Sequence, residues 1–247
     1  MYLLEIEDKF KNIIDKTDFR ISIFGSARIK EGEPNYKLIE ELSYRLALED
    51  IALITGGGMG LMDAASKGHK MARKQIGLFN DPIVNIGLNI KLPFEEYASL
   101  HLDIKKEFER FSERLEYFMQ LSNAVIVSVG GIGTLLEFFY SWQLIQVNHI
   151  NEFPIILFAP DDRWQQLMDW INIWLLENKL IDEKDLDCIF IVKDIDSVIS
   201  LLRTYKQNNK IINRKLMLKS IAQKSPKDNF ENYINSINNI VLQYRNA

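Results

Sequence analysis

In three places along this chain an apolar run stops at a cluster of glycines or other small residues and passes at once into a segment of helical periodicity. Residues 21–24 lead into Gly25-Ser26-Ala27-Arg28, and residues 51–54 lead into Thr55-Gly56-Gly57-Gly58-Met59-Gly60. Residues 124–129 lead into Gly130-Gly131-Ile132-Gly133-Thr134-Leu135-Leu136-Glu137. A strand that turns on glycine straight into a helix belongs to layered α/β architecture, in which such turns collect at the carboxyl ends of parallel strands. The remaining segments keep the alternation. RISIFG, a helix over 36–49, IALITG, a helix over 62–72 and IVNIGLNI are followed by a long helix over 105–121 and NAVIVSVG. A helix over 135–147, PIILFAP, a Trp-rich helix over 164–177 and CIFIVK complete the series. Buried parallel strands read as continuous apolar runs of this kind.

The expectation is therefore a Rossmann-like, doubly wound parallel sheet with helices on both faces, carried as one domain over 1–247. Its core falls at about 18–200, after an N-terminal amphipathic helix at 3–16 and before a peripheral helical tail at 203–247, where Lys, Asn, Gln and Ser accumulate. The three turns are the places to look for chemistry, because exposed backbone N–H groups at a helix start attract anions. In the first turn, Gly25 and Ser26 let amides approach a phosphate and Arg28 adds charge, although a tight structural turn would use the same residues. The second turn is the strongest signal. Thr55, Gly56, Gly57, Gly58 and Gly60 leave the backbone uncovered and free to take positive φ. In the third, Gly130, Gly131, Gly133 and Thr134 offer amides and a hydroxyl to phosphate or ribose. Glu137 lies three residues after Thr134, so a functional carboxylate and a helix-capping box are both open.

Other classes fit poorly. No Gly-Lys-Ser/Thr follows the glycines, which disfavours a nucleoside triphosphatase, and no acid ends the second strand to hold the ribose of a dinucleotide. A formal net charge of -4 gives no cationic surplus for extended nucleic acid. Cys188 is the single cysteine, and His69, His101 and His149 make no metal-ligand spacing with it, so these four are read as structural, and neither disulfide nor metal is expected. The first residues lack the uncharged apolar stretch of a secretory leader, and no run is long enough to cross a bilayer, so a soluble cytoplasmic protein is expected. Trp164, Trp170 and Trp174 are read as core or dimer packing, and Lys67 and Lys70 as solvated helix residues.

Taken in order, FGSAR (24–28), TGGGMGLMDAASKG (55–68), IGLNIKLPFEE (86–96) and VGGIGTLLE (129–137) resemble the LOG family of cytokinin-activating phosphoribohydrolases, often labelled lysine decarboxylases. The resemblance spans 20–159. It implies a homodimer that hydrolyses the N-glycosidic bond of a purine nucleoside 5′-monophosphate, AMP or an N6-modified AMP, to free base and ribose 5-phosphate, with no metal or organic cofactor. It also implies a catalytic pair, Arg114 and Glu137. Spacing alone would leave Arg114 as an exposed ion-pair partner among Arg110, Glu113 and Glu116. A carboxylate suits the oxocarbenium character that develops on ribose, and an arginine can grip phosphate or substrate oxygens. Four positions depart from the family pattern: Val129 replaces a proline, Leu115 a lysine, and Leu136 and Tyr140 two acids. The stretch 75–84 is longer than the family's usual link. These departures keep a second class open, a non-catalytic nucleotide-binding or sensing protein. Lysine decarboxylation would need pyridoxal phosphate on a Schiff-base lysine, and nothing in the sequence suggests one.

Overall fold

A computed structural model describes residues 7–8, 10–12, 19–77, 84–91 and 98–208. Seven strands make one sheet: β1 (Arg20–Phe24), β2 (Ala52–Thr55), β3 (Asn85–Ile90), β4 (Ile104–Phe108), β5 (Ala124–Val127), β6 (Ile155–Phe158) and β7 (Ile189–Val192). Their order is β4-β3-β2-β1-β5-β6-β7, and every pair is parallel. Among the described residues five α-helices lie between strands, α1 (Pro34–Leu48), α2 (Leu61–Gln75), α3 (Phe111–Leu121), α4 (Ile132–Gln146) and α5 (Arg163–Ile171), and α6 (Ile195–Asn208) follows β7. This is the doubly wound α/β fold the sequence predicts.

Period-two alternation along the buried strands sorts side chains to two faces. Ile21, Ile23, Leu53, Ile126 and Phe158 pack beneath α1, α2 and α6, against Tyr36, Ile39, Leu61, Ala64, Val198 and Leu202. Phe24, Ile54, Leu88, Val125, Val127 and Leu157 face α3, α4 and α5, against Phe118, Phe138, Trp142 and Trp164. The winding reverses between β1 and β5. Their carboxyl ends diverge into helices on opposite faces there, which opens a crevice at the switch point.

Three segments differ from the sequence reading. The helix expected over 105–121 is β4 followed by α3: IKKEF pairs with β3 as an edge strand, with Lys105 and Glu107 exposed and ion-paired at 2.6 Å. Charges suit an edge that faces solvent, and in one dimension they imitate the polar stripe of a helix. The Trp-rich helix ends as α at Ile171 and continues as a π-helical turn over Asn172–Leu176. Trp164 is buried as expected, but Trp170 and Trp174 are 50% and 58% exposed and lie outside the core.

Helix α6 also runs through the expected boundary at Arg203, with Leu201, Leu202 and Thr204 buried. Of the expected tail, 209–247 lies outside the described residues, as do most of the N-terminal helix and 78–83 of the long link. No helix among the described residues is long and apolar enough to cross a membrane. Cys188 and His69 are buried packing residues. Burial pushes the thiol up to about 12 and holds the imidazole down at about 4, with Nε2 2.9 Å from the Ile51 carbonyl.

Candidate active site

The three glycine turns meet at Ser26. Its amide donates to the Val129 carbonyl (2.9 Å), and its carbonyl accepts from the Leu61 amide at the start of α2 (2.9 Å). The β1 turn is thus tied to both of the others, a bracing that no local pattern encodes. Above it lies a cleft of about 530 Å³.

Eight of the predicted site residues line this cleft: Gly25, Ser26, Gly56, Arg114, Gly131, Gly133, Thr134 and Glu137. Thr55, Gly57, Gly58, Gly60 and Gly130 do not line it. Thr55 is buried, and its hydroxyl accepts from the Gly57 amide at 3.1 Å. Gly57 and Gly60 both have φ +71°, and a Cβ on either would collide, the first with Asn89 and the Gly87 backbone, the second with the Ser26 carbonyl and Ala27. Gly130 is packed against the Thr134 side chain. Gly57, Gly60 and Gly130 serve close packing within the chain, whereas a Cβ on Gly131 or Gly133 would meet no atom within 4 Å.

Helix α3 delivers Arg114 because its buried face repeats at Arg114, Tyr117, Phe118 and Leu121, with Arg114 at the end nearest the strand termini. The exposed ion-pair role falls instead to Arg110, which bonds Glu113. Arg114 Nε donates to the Leu88 carbonyl (2.9 Å), and Nη2 donates to Glu137 Oε1 (3.0 Å). The guanidinium also stands 5.3 Å from the centre of the Phe118 ring.

Glu137 sits on the second turn of α4. That helix starts at Ile132 with Gly131 as N-cap and has no side-chain cap and no acid in its first turn. Thr134 and Glu137 are therefore inside the helix, and the capping-box reading does not apply. Burial raises the Glu137 pKa to about 7, and the charge of Arg114 opposes this rise without cancelling it. The result is a carboxyl group poised to change charge near neutrality, next to a helix start with unclaimed amides.

Met62, Ile90, Phe111 and Ile132 also line the cleft and were missed by reading the turns alone. Phe111 precedes Arg114 by three residues, so the two share a helix face. That spacing was the available signal. Among the described residues no group of three or more His, Cys, Asp or Glu could hold a metal ion.

The family described as "Possible lysine decarboxylase" matches residues 57–202. This chain belongs to that family. The match takes in the second glycine turn from Gly57 onward, the third turn, Arg114 and Glu137, in line with the resemblance read from the motifs. Three curated relatives, all named pyrimidine/purine nucleotide 5′-monophosphate nucleosidase and from Escherichia coli strains including K12, are 27% identical over 149 residues. The alignment covers 56% of this chain and only 30% of each relative's length. Among solved structures, a molybdenum cofactor binding protein from the phototrophic bacterium Rippkaea orientalis is similar in fold (TM-score 0.55, 23% identity, 75% of this chain and 96% of that one). The molybdenum cofactor carrier protein of Chlamydomonas reinhardtii is similar too (TM-score 0.53, 18% identity, 75% and 96%).

Proposed function

We propose that the protein hydrolyses the N-glycosidic bond of nucleoside 5′-monophosphates, releasing free base and ribose 5-phosphate, with AMP or an N6-modified AMP among its substrates. The observation that carries this reading is the buried Arg114–Glu137 pair (3.0 Å) beside the uncapped start of α4 in the cleft. The amides of the first α4 turn and the Thr134 hydroxyl take the 5′-phosphate. Glu137 lies three residues, about 4.5 Å of helix axis, further along the same helix. Its carboxylate then faces the anomeric carbon, stabilises the developing oxocarbenium ion and accepts a proton from the attacking water. Water attacks the anomeric carbon as the bond to the base breaks, the electron pair of that bond leaves with the base, and the base takes up a proton from solvent while Glu137 returns the water's proton to solvent. The name of the Escherichia coli relatives supports the reaction class.

The family description fits the cleft less well. Pyridoxal phosphate chemistry requires a lysine amine at the reacting centre, and among the described residues no lysine lines the cleft. Lys67 is held by Glu31 (2.6 Å) and Glu40 (3.2 Å), and Lys70 reaches the Leu100 carbonyl (3.3 Å).

A homodimer in the cytoplasm completes the proposal. Helix α4 turns Ile132, Leu136 and Phe139 outward, Val147 just past its end is exposed too, and Ile132 at the rim of the cleft is 82% exposed. A second copy covering this stripe would bury it and wall the cleft.

The test is to incubate the protein with AMP, GMP, CMP and isopentenyladenosine monophosphate and to follow base and ribose 5-phosphate by chromatography. Turnover is expected, and Glu137→Gln is expected to reduce it by about a hundredfold to ten-thousandfold. Binding of AMP without release of base from any of the four would instead favour the nucleotide-binding reading, with Leu115, Val129, Leu136 and Tyr140 as its explanation.

A further inference from the structure

The cleft contains two arginines in opposite circumstances. Arg114 is buried, with Nε committed to the Leu88 carbonyl and Nη2 to Glu137. Its charge is matched locally by the carboxylate when that group is ionised. Arg28 lines the same cleft from the connection after β1, is exposed, and has no ion-pair partner among the described residues. Its backbone is well placed: the Arg28 amide donates to Ser26 Oγ (3.1 Å), and Ser26 is in turn bonded to Val129 and Leu61. A long flexible side chain therefore projects from a braced turn.

Charge bookkeeping separates the two roles. A phosphate monoester carries nearly two negative charges near pH 7. The start of α4 supplies roughly half a positive charge, and the Arg114–Glu137 pair supplies none in its ionised state. We propose that Arg28, not Arg114, is the cation that reads the substrate's 5′-phosphate, and that Arg114 is a positioning residue that holds Glu137. The inference rests on the nucleoside monophosphate reading. It departs from the expectation that Arg114 grips phosphate or substrate oxygens, because Nε is bonded to the Leu88 carbonyl and Nη2 to Glu137. It also makes Arg28 the residue that distinguishes a nucleotide from its nucleoside.

An exposed guanidinium on a phosphate is strengthened by its charge and weakened by solvent and salt. Its loss should weaken binding about tenfold at low ionic strength and by less at high salt.

The experiment is titration calorimetry of the full chain with ribose 5-phosphate, AMP and adenosine, comparing the unmodified protein with Arg28→Ala and Arg28→Lys at low and high salt. Arg28→Ala is expected to weaken ribose 5-phosphate and AMP about tenfold, to leave adenosine unaffected, and to lose most of that effect in high salt. Arg28→Lys is expected to restore most of the affinity, because charge is retained and only the planar fork is lost. If the unmodified protein binds ribose 5-phosphate and Arg28→Ala binds it equally well, the assignment of Arg28 is overturned while the nucleotide reading stands. If the unmodified protein binds neither ribose 5-phosphate nor AMP, both are overturned. An equal loss for adenosine and AMP would place Arg28 in the fold of the turn and overturn its role in reading phosphate.

Discussion

The turn after β2 and the turn after β5 look alike in sequence, each a run of glycines between an apolar strand and a helix, yet they face different things. In the first, Gly57 and Gly60 adopt positive φ and press against Asn89, Gly87 and Ser26. In the second, Gly131 and Gly133 stand at the edge of open space and line the cleft. Glycine in the first lets backbone approach backbone. In the second it leaves room for something that is not part of the chain. Glycine density thus marks close approach, and the identity of the approaching group is decided by segments remote in sequence.

The comparison can be broken at several points. The largest effect is expected where the two turns meet, at Arg114, whose Nη2 lies beside Gly56 and bonds Glu137. Arg114→Ala strips a buried carboxyl of its counter-charge and should cost about 3–5 kcal/mol in denaturant unfolding. It should also raise the Glu137 pKa further, because Arg114 is the group that lowers it. The acid limb of a turnover–pH profile, expected near pH 7 in the unmodified protein, should then move to higher pH.

Gly57→Ala comes next. A strained φ of +71° and a collision with the Asn89 side chain, with the Gly87 backbone in tight contact behind it, should cost about 2–4 kcal/mol, measured in the same way. A neutral result would show that the turn is looser than its geometry.

A smaller effect concerns pH and stability. Burial raises the folded-state pKa of Glu137 to about 7, above its ordinary value. The folded protein therefore keeps a proton that the unfolded chain loses as pH rises past the ordinary carboxylate range. The stabilising contribution is complete at lower pH and is gone above about 7. Melting temperatures of the unmodified protein relative to Glu137→Gln should fall by a few degrees between pH 5 and 7.5, then level off. A difference that is flat with pH would contradict the buried, raised carboxyl.

The smallest shift in stability has the opposite sign. Gly133 lies in the first turn of α4 with open space around it, so Gly133→Ala should stabilise the fold by about 0.5–1 kcal/mol while weakening nucleotide binding. Stabilisation with unchanged binding would mean that the open turn is not where the ligand sits.

Much of the fold was legible because parallel strands announce themselves as apolar runs and each is punctuated by its turn. Strand β4 escaped because its charged edge residues, joined to α3, complete a plausible amphipathic helix. At the site, the strand-to-helix turns were legible as a set, but not which of their residues opened onto the cleft. That depends on Asn89, Gly87 and Leu61 arriving from elsewhere in the chain. Arg114 came from family resemblance alone, since local spacing offered only an exposed ion pair, whereas for Glu137 local spacing left a functional carboxylate and a helix cap both open. Burial, which overrules the exposed ion pair and the cap, is a property of the packed sheet.

The most direct test of the account is a crystal structure of the Glu137→Gln variant with AMP bound. The account predicts phosphate against the amides of 131–134 and the Thr134 hydroxyl, the anomeric carbon beside position 137, and the Arg28 guanidinium on the phosphate. A nucleotide whose phosphate lies on the 55–60 turn, or that binds outside the cleft, would contradict it.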